Sequence, residues 1–190
     1  MTFDSNEELY MDWWLQELKV LGYISEIIHQ PESFKLSDGI SVDYFVPYKK
    51  KEGGTYVSES IMREHVYTPD VLVTWTQKAV NVFTTMINSD LRKKKGHSFM
   101  YILCDENLRS YIEVKPSFDQ NNMTRLAKIN LQWVWEKYGQ YVNIVVPEKH
   151  FNKTFTPKKY FFTTKTKKPR TIKYKNVQTI EEFIKKDSLS

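Results

Sequence analysis

The sequence predicts a mixed α/β domain, a twisted sheet flanked by helices, with a basic extension at its C-terminal end. Three observations point there. A helical apolar pattern opens the chain, a strand, a long helix and a strand follow one another between residues 109 and 146, and cations crowd into the last quarter. At 190 residues the chain is most simply one domain, large enough to bury roughly 70% of its extended surface. The expected division is a core over 1–147 with an insertion at about 76–108, and an extension over 148–190 packed on that core.

The first helix is expected from about Asn6 to Leu21, where Leu9, Trp13, Leu18 and Leu21, with Tyr10, Trp14 and Leu15, form a wide apolar stripe stopped by Gly22. Ser5-Asn6-Glu7-Glu8 is a capping-box pattern at its start. Short strands follow over Tyr23–His29, Ser33–Leu36 and Val42–Val46, with a turn at Ser37-Asp38-Gly39 between the last two. Lys49-Lys50-Lys51-Glu52-Gly53-Gly54 reads as a polar loop tip. Tyr56–Trp75 reads as extended, with Pro69 where an interior strand would begin.

Thr76–His97 is ambiguous: an apolar block over Val80–Met86 precedes the charged run Arg92-Lys93-Lys94-Lys95-Gly96, and a strand or a helix would fit. Order resumes with a strand over Arg109–Lys115. A long helix is expected over Gln120–Tyr138, where Met123, Leu126, Ala127, Leu131, Val134, Trp135 and Tyr138 keep helical spacing and Gly139 is a good residue to end it. Tyr141–Val146 is an apolar strand ended by Pro147. Strand, helix and strand in that order predict two parallel strands joined by a right-handed crossover. The rest reads as an extended hairpin around Lys167-Lys168-Pro169 and a short helix near Ile180–Lys186.

The net charge of +5 conceals an asymmetry. No acid lies between Glu148 and Glu181, an interval holding Lys149, Lys153, Lys158, Lys159, Lys165, Lys167, Lys168, Arg170, Lys173 and Lys175. Without these ten cations the chain has 18 basic against 23 acidic residues. A polyanion such as DNA is the expected partner of this segment, whose cations interleave with Tyr160, Phe161, Phe162 and Tyr174. A solvated charged face is the simpler alternative.

Several chemistries are disfavoured. No apolar run approaches the roughly 20 residues that cross a bilayer, and the N-terminus shows no signal-peptide pattern. The lone Cys104 makes no internal disulfide and fits a buried strand better than a nucleophile, so a cytoplasmic setting is expected. His29, His65, His97 and His150 lack zinc-ligand spacing, and no glycine-rich phosphate loop is present.

Two short strings carry the chemistry, Tyr67-Thr68-Pro69-Asp70-Val71-Leu72-Val73 and Tyr111-Ile112-Glu113-Val114-Lys115. Alternation on a strand places Tyr111, Glu113 and Lys115 on one face and Ile112 and Val114 on the other, with Glu113 and Lys115 roughly 7 Å apart. If Asp70 lies on a neighbouring strand and faces the same way, two carboxylates and one ammonium meet. The alternative is an exposed strand with a surface ion pair worth little.

Pro69-Asp70 and Glu113-Val114-Lys115, in this order of helix, strands, helix and strand, resemble the PD-(D/E)xK nuclease superfamily. The N-terminal half resembles its phage-type and transposase-associated endonuclease branch, in which a helix opening with Ser-x-x-Glu precedes a Tyr-Thr-Pro-Asp strand. The resemblance covers about residues 5–146. It implies a restriction-endonuclease-like fold and a Mg²⁺- or Mn²⁺-dependent deoxyribonuclease acting on phage or mobile-element DNA, with junction resolution among its roles. Asp70, Glu113 and the Val114 carbonyl would hold the metal, Lys115 would act on the attacking water, and Glu8 would be the helical acid. A capping box explains Glu8 almost as well, and Glu7 competes with it for the site while Asp4 competes for the cap. Thr124, Lys128 and Gln132 recur on one side of the second helix and would face phosphate or simply solvent. Lys128, Lys158, Lys159, Lys165, Lys167, Lys168, Arg170, Lys173 and Lys175 are the expected DNA contacts. A homodimer and a recombination or transposition partner are further expectations of the resemblance. Two other readings stay open: a non-catalytic nucleic-acid-binding module on the same fold, and a nuclease subunit active only within such an assembly.

Overall fold

In the computed structural model, which describes residues 3–88, 101–117 and 124–187, the elements run as follows. They are α1 (Asn6–Val20), β1 (Ile24–His29), β2 (Phe34–Ser37), β3 (Ile40–Pro47), β4 (Gly54–Met62), β5 (His65–Tyr67) and β6 (Val71–Trp75). Then come β7 (Thr84–Met86), β8 (Ile102–Cys104), β9 (Arg109–Val114), α2 (Thr124–Tyr138), β10 (Val142–Val145), α3 (Pro147–Phe151) and α4 (Ile180–Asp187). The chain is thus mixed α/β. The charged run 92–96, His97 and the helix start expected at 120–123 lie outside the described residues.

Two compact units emerge, one formed by residues 1–31 with 69–190 and the other by residues 32–68. The expected boundary at 147 falls inside the first. That unit is built on a four-stranded sheet in the order β1-β6-β9-β10. β1 and β6 are antiparallel, as are β6 and β9, whereas β10 runs parallel to β9 with Val142 beside Tyr111 and Val145 beside Val114. The parallel pair expected from the strand–helix–strand pattern is therefore present.

Helix α1 starts because Ser5 Oγ accepts the Glu8 N–H at 3.1 Å, and it stops at Gly22, whose φ of +75° suits a residue without a Cβ. It buries Met11, Trp14, Leu15 and Leu18, one stripe at helical spacing. The expected stripe was centred differently: Leu21 is exposed, and Met11, not singled out from the sequence, is fully buried.

Trp14 is the hub of the core. It stacks on Phe155, meets the edges of Trp75, Phe83 and His150, and donates its indole N–H to Thr154 Oγ1 at 3.2 Å. The same cluster takes in Val73 and Ile112 from the sheet and Phe151, Phe155, Tyr160, Ile180 and Phe183 from the C-terminal quarter. The basic segment is thus part of the core as well as a charged surface.

On the opposite edge, Asn143 of β10 accepts the Leu103 N–H at 2.8 Å and donates to the Leu103 and Tyr111 carbonyls. One buried amide thereby ties β8 and β9 to β10.

Three details depart from the sequence reading. The helical spacing of α2 is realised and Gly139 ends it with φ +63°, its N–H on the Trp135 carbonyl at 2.8 Å. Yet of the apolar residues that keep this spacing, Val134 is buried, while Leu126, Trp135 and Tyr138 are exposed. The hairpin expected around Lys167-Lys168-Pro169 reduces to a single antiparallel bridge between Phe162 and Pro169, preceded by a 3-10 turn at Lys158–Phe161. Pro147 ends β10 and also begins α3, because a proline fits the first helical turn, where no amide partner is needed.

The second unit holds two antiparallel pairs, β2 with β5 and β3 with β4. Strands expected as short pieces near Val42–Val46 and in the extended run after Tyr56 form one long ribbon, closed by the lysine-rich tip. Lys35 pairs with Asp38 and Glu64 at 2.8 and 3.4 Å, across the turn expected at Ser37-Asp38-Gly39.

Candidate active site

The acids of interest sit where β6 begins and β9 ends. Pro69 has no N–H, so no ladder hydrogen bond can be donated there, and Asp70 precedes the first β6 residue. The Asp70 carbonyl accepts the Gln30 N–H at 2.9 Å, which fixes its backbone against the end of β1. On the other side, beyond the last strand pair Val71–Ile112, Asp70 Oδ2 accepts the Val114 N–H at 2.6 Å. The side chain is thereby locked between two strands.

Alternation along β9 works as the sequence predicts. Ile112 and Val114 are buried in the core that α1 covers, and Glu113 and Lys115 are on the other side of the strand. Lys115 Nζ contacts Glu113 Oε1 at 2.6 Å, with side chains only 19% and 9% exposed, and this separates the pair from an ordinary surface salt bridge. The Lys115 N–H is itself tied to the Val145 carbonyl at 2.8 Å, so β10 holds the lysine backbone in place.

Electrostatics bring Asp70, Glu113, Glu8 and Lys115 into one neighbourhood. The Asp70 carboxyl is pushed up to about 7, first by burial and then by the negative charges of Glu113 and Glu8. The Val114 N–H and the Lys115 ammonium pull it the other way without cancelling the rise. An acid that burial and two like charges make costly to ionise is what a bound cation would relieve.

Glu8 serves the helix start and also bears on the site. Its Oε1 accepts the Ser5 hydroxyl at 2.9 Å and its Oε2 accepts the Asp4 N–H at 3.3 Å. The capping box is thus present, with the Asp4 amide in place of the expected Ser5 amide. Gln30, which sequence reasoning missed, links both sides: its N–H holds Asp70, and its side-chain amide reaches Asp4 Oδ2 at 3.5 Å. Only its position beside the antiparallel partner of β6, and a left-handed φ of +47°, mark it out, and neither is visible in the sequence. Asp12 and His29, paired at 3.0 Å, join α1 to the end of β1.

Among the described residues, no group of three or more His, Cys, Asp or Glu side chains is arranged to hold a metal. Two strand carboxylates remain, which suits Mg²⁺ or Mn²⁺, since these hard cations keep several waters and use one or two protein carboxylates plus substrate phosphate.

The expected DNA-contacting residues lie apart from one another in role. Lys128, Lys159, Lys165, Lys167, Lys168, Lys173 and Lys175 are exposed. Lys158 is also exposed but pairs with Glu181 at 2.6 Å. Arg170 is used inward: its guanidinium lies over the Tyr10 and Tyr160 rings at 4.7 and 4.4 Å and donates to Tyr10 Oη at 3.0 Å. Gln132 is exposed on α2, and the side chain of Thr124 lies outside the described residues. Cys104 is buried in β8, where burial pushes its thiol up, away from nucleophilic character. No helix among the described residues is long and apolar enough to cross a membrane.

Comparison of the chain with protein-family models, curated proteins and solved structures finds no match in any of the three.

Proposed function

We propose that this chain is a Mg²⁺- or Mn²⁺-dependent DNA endonuclease with a restriction-endonuclease-like arrangement of the PD-(D/E)xK kind. The observation that carries this reading is the convergence of Asp70 on β9: its carboxylate is bonded to the Val114 amide while Glu113 raises its pKa and Lys115 lowers it. The strand order supports it, with β1 antiparallel to β6 of the acid-bearing pair β6–β9, and a helix and the parallel strand β10 following.

Asp70 and Glu113, with the Val114 carbonyl, would hold the metal. When bound, it supplies Lewis-acid polarisation of the phosphate and a water of lowered pKa. The chain's own groups do the positioning. The Val114 N–H fixes one Asp70 oxygen, and the other would be the one to meet the metal. Lys115, held by Glu113 and by the β10 backbone, places an ammonium where it orients the attacking water and offsets charge developing on phosphate. Glu8 adds negative charge that favours a cation in the site. The exposed lysines of the C-terminal segment, together with Lys128, would contact the DNA backbone. Action on phage or mobile-element DNA, as a homodimer or with a recombination or transposition partner, belongs to the same proposal.

The experiment is incubation of the purified chain with plasmid and with four-way-junction DNA, in Mg²⁺, in Mn²⁺ and in chelator. Metal-dependent cleavage lost in Asp70→Ala is the expected result, and preference between the two substrates identifies the natural one. Binding without cleavage, unchanged by Asp70→Ala and Lys115→Ala, would select a non-catalytic nucleic-acid-binding module instead. Cleavage appearing only with added partner proteins would select the assembly-dependent form.

A further inference from the structure

The β3–β4 ribbon has no role in the site just described. It forms eight cross-strand pairs, from Ile40–Met62 to Pro47–Gly54. Every β3 residue is exposed, as is every β4 residue except Gly54. A two-stranded hairpin without a covered face is marginal in water, so an arm of this length is a surface shaped for a partner. At about 3.4 Å per residue the paired strands extend roughly 25 Å.

Its outer end is built closely. The Tyr48 N–H donates to the Gly53 carbonyl at 2.9 Å, Gly53 has φ +99°, and a Cβ on Gly54 would collide with the Phe45 ring and the Val46 carbonyl. The tip therefore needs both glycines, and it presents Lys49, Lys50 and Lys51 to solvent. Lys51 lies over the Tyr48 ring at 4.7 Å. Asp43 and Glu59 sit toward the base, so the outer half, residues 44–56, carries three lysines against Glu52 alone. Phe45 and Tyr56 form an exposed cross-strand aromatic pair at 5.5 Å, and Tyr44 occupies the opposite face.

We propose that this ribbon is a DNA-binding arm that lies in a groove of duplex DNA, with Lys49, Lys50 and Lys51 on the phosphates. The proposal rests on the nuclease reading and deepens it by naming a substrate-gripping element. The major groove, about 12 Å wide, admits a two-stranded ribbon. Charge favours DNA over a second copy of the chain: the tip gathers three ammonium groups against Glu52 alone, and the phosphates along a groove offer each of them a counter-charge. Tyr44, Phe45 and Tyr56 then offer rings to sugars and base edges.

The test is anisotropy of the full chain on a short labelled duplex, without divalent metal, between about 50 and about 200 mM salt. Wild type is compared with Lys49→Ala/Lys50→Ala/Lys51→Ala and with the corresponding triple Glu variant. Three lost phosphate contacts should weaken binding at least about ten-fold and make the slope of log K against log salt shallower by about 2.7. The Glu variant should weaken it further. These exposed tip side chains can be exchanged without disturbing the core, and circular dichroism of each variant checks that. Unchanged affinity and slope in both variants would overturn the proposal. So would loss of self-association in sedimentation with DNA affinity intact, which would make the ribbon a dimer arm. Wild-type cleavage of the same duplex with Mg²⁺ separates the two levels. Cleavage with unchanged variant binding removes the arm alone, whereas a wild type that neither binds nor cleaves removes both.

Discussion

Asp70 Oδ2 accepts the Val114 N–H at 2.6 Å, so a carboxylate occupies a place on β9 that lies just past the last backbone pairing with β6. That hydrogen bond lowers the Asp70 pKa, yet burial and the neighbouring acids still raise it to about 7. The site is therefore costly to the apo fold.

The pH dependence follows from that shift. Asp70 in the fold keeps its proton at pH values where the unfolded chain, near 3.8, has lost it. Its contribution to stability is full below about 3.8 and is lost as pH rises through about 7. At about 1.4 kcal/mol per unit, the loss is of order 4 kcal/mol. Asp70→Asn keeps an oxygen for the Val114 amide and removes the charge. Its melting temperature should exceed wild type by about 8–16 °C at about pH 8, and by much less at about pH 5. Thermal unfolding across pH checks this, and an equal shift at both values would contradict it.

Divalent metal should relieve the same cost. Mn²⁺ or Mg²⁺ at about 100 times its dissociation constant would stabilise the fold by about 2.7 kcal/mol. The gain should grow as pH rises through about 7, since the metal competes with the Asp70 proton. Melting in titrated Mn²⁺ measures it, and Asp70→Asn should abolish most of the shift.

Glu8 can be assigned by one substitution. Glu8→Gln retains one of the two oxygens that accept from the Ser5 hydroxyl and the Asp4 amide, so stability should fall by no more than about 1 kcal/mol. Cleavage should fall by about ten- to a hundred-fold if its charge supports the site. Unchanged cleavage would reduce Glu8 to a helix cap.

Asn143 gives a structural check away from the acids. Asn143→Ala leaves the Leu103 N–H and carbonyl and the Tyr111 carbonyl without their buried partner. Chemical denaturation should show a loss of about 1–3 kcal/mol.

The legible parts of the fold were those set by local rules. Side-chain alternation placed Glu113 and Lys115 together, the capping box marked the start of α1, and strand–helix–strand order gave the parallel β9–β10 pair. What the sequence left hidden depends on distant partners. Helical spacing in α2 does not say which face is covered, and Leu126 and Trp135 are exposed. The cations between Glu148 and Glu181 suggested a surface segment, but Phe151, Phe155 and Tyr160 among them are core while Phe162 is exposed, and Arg170 lies inward over the Tyr10 and Tyr160 rings. Gln30 acts through its backbone amide, which every residue except proline possesses, so no residue type signals it.

The nuclease reading turns on one rate. Single-turnover cleavage of duplex or junction DNA in saturating Mn²⁺ should fall by at least about a thousand-fold in Asp70→Asn, while the variant stays folded and melts no lower than wild type. Cleavage by Asp70→Asn at the wild-type rate would contradict it.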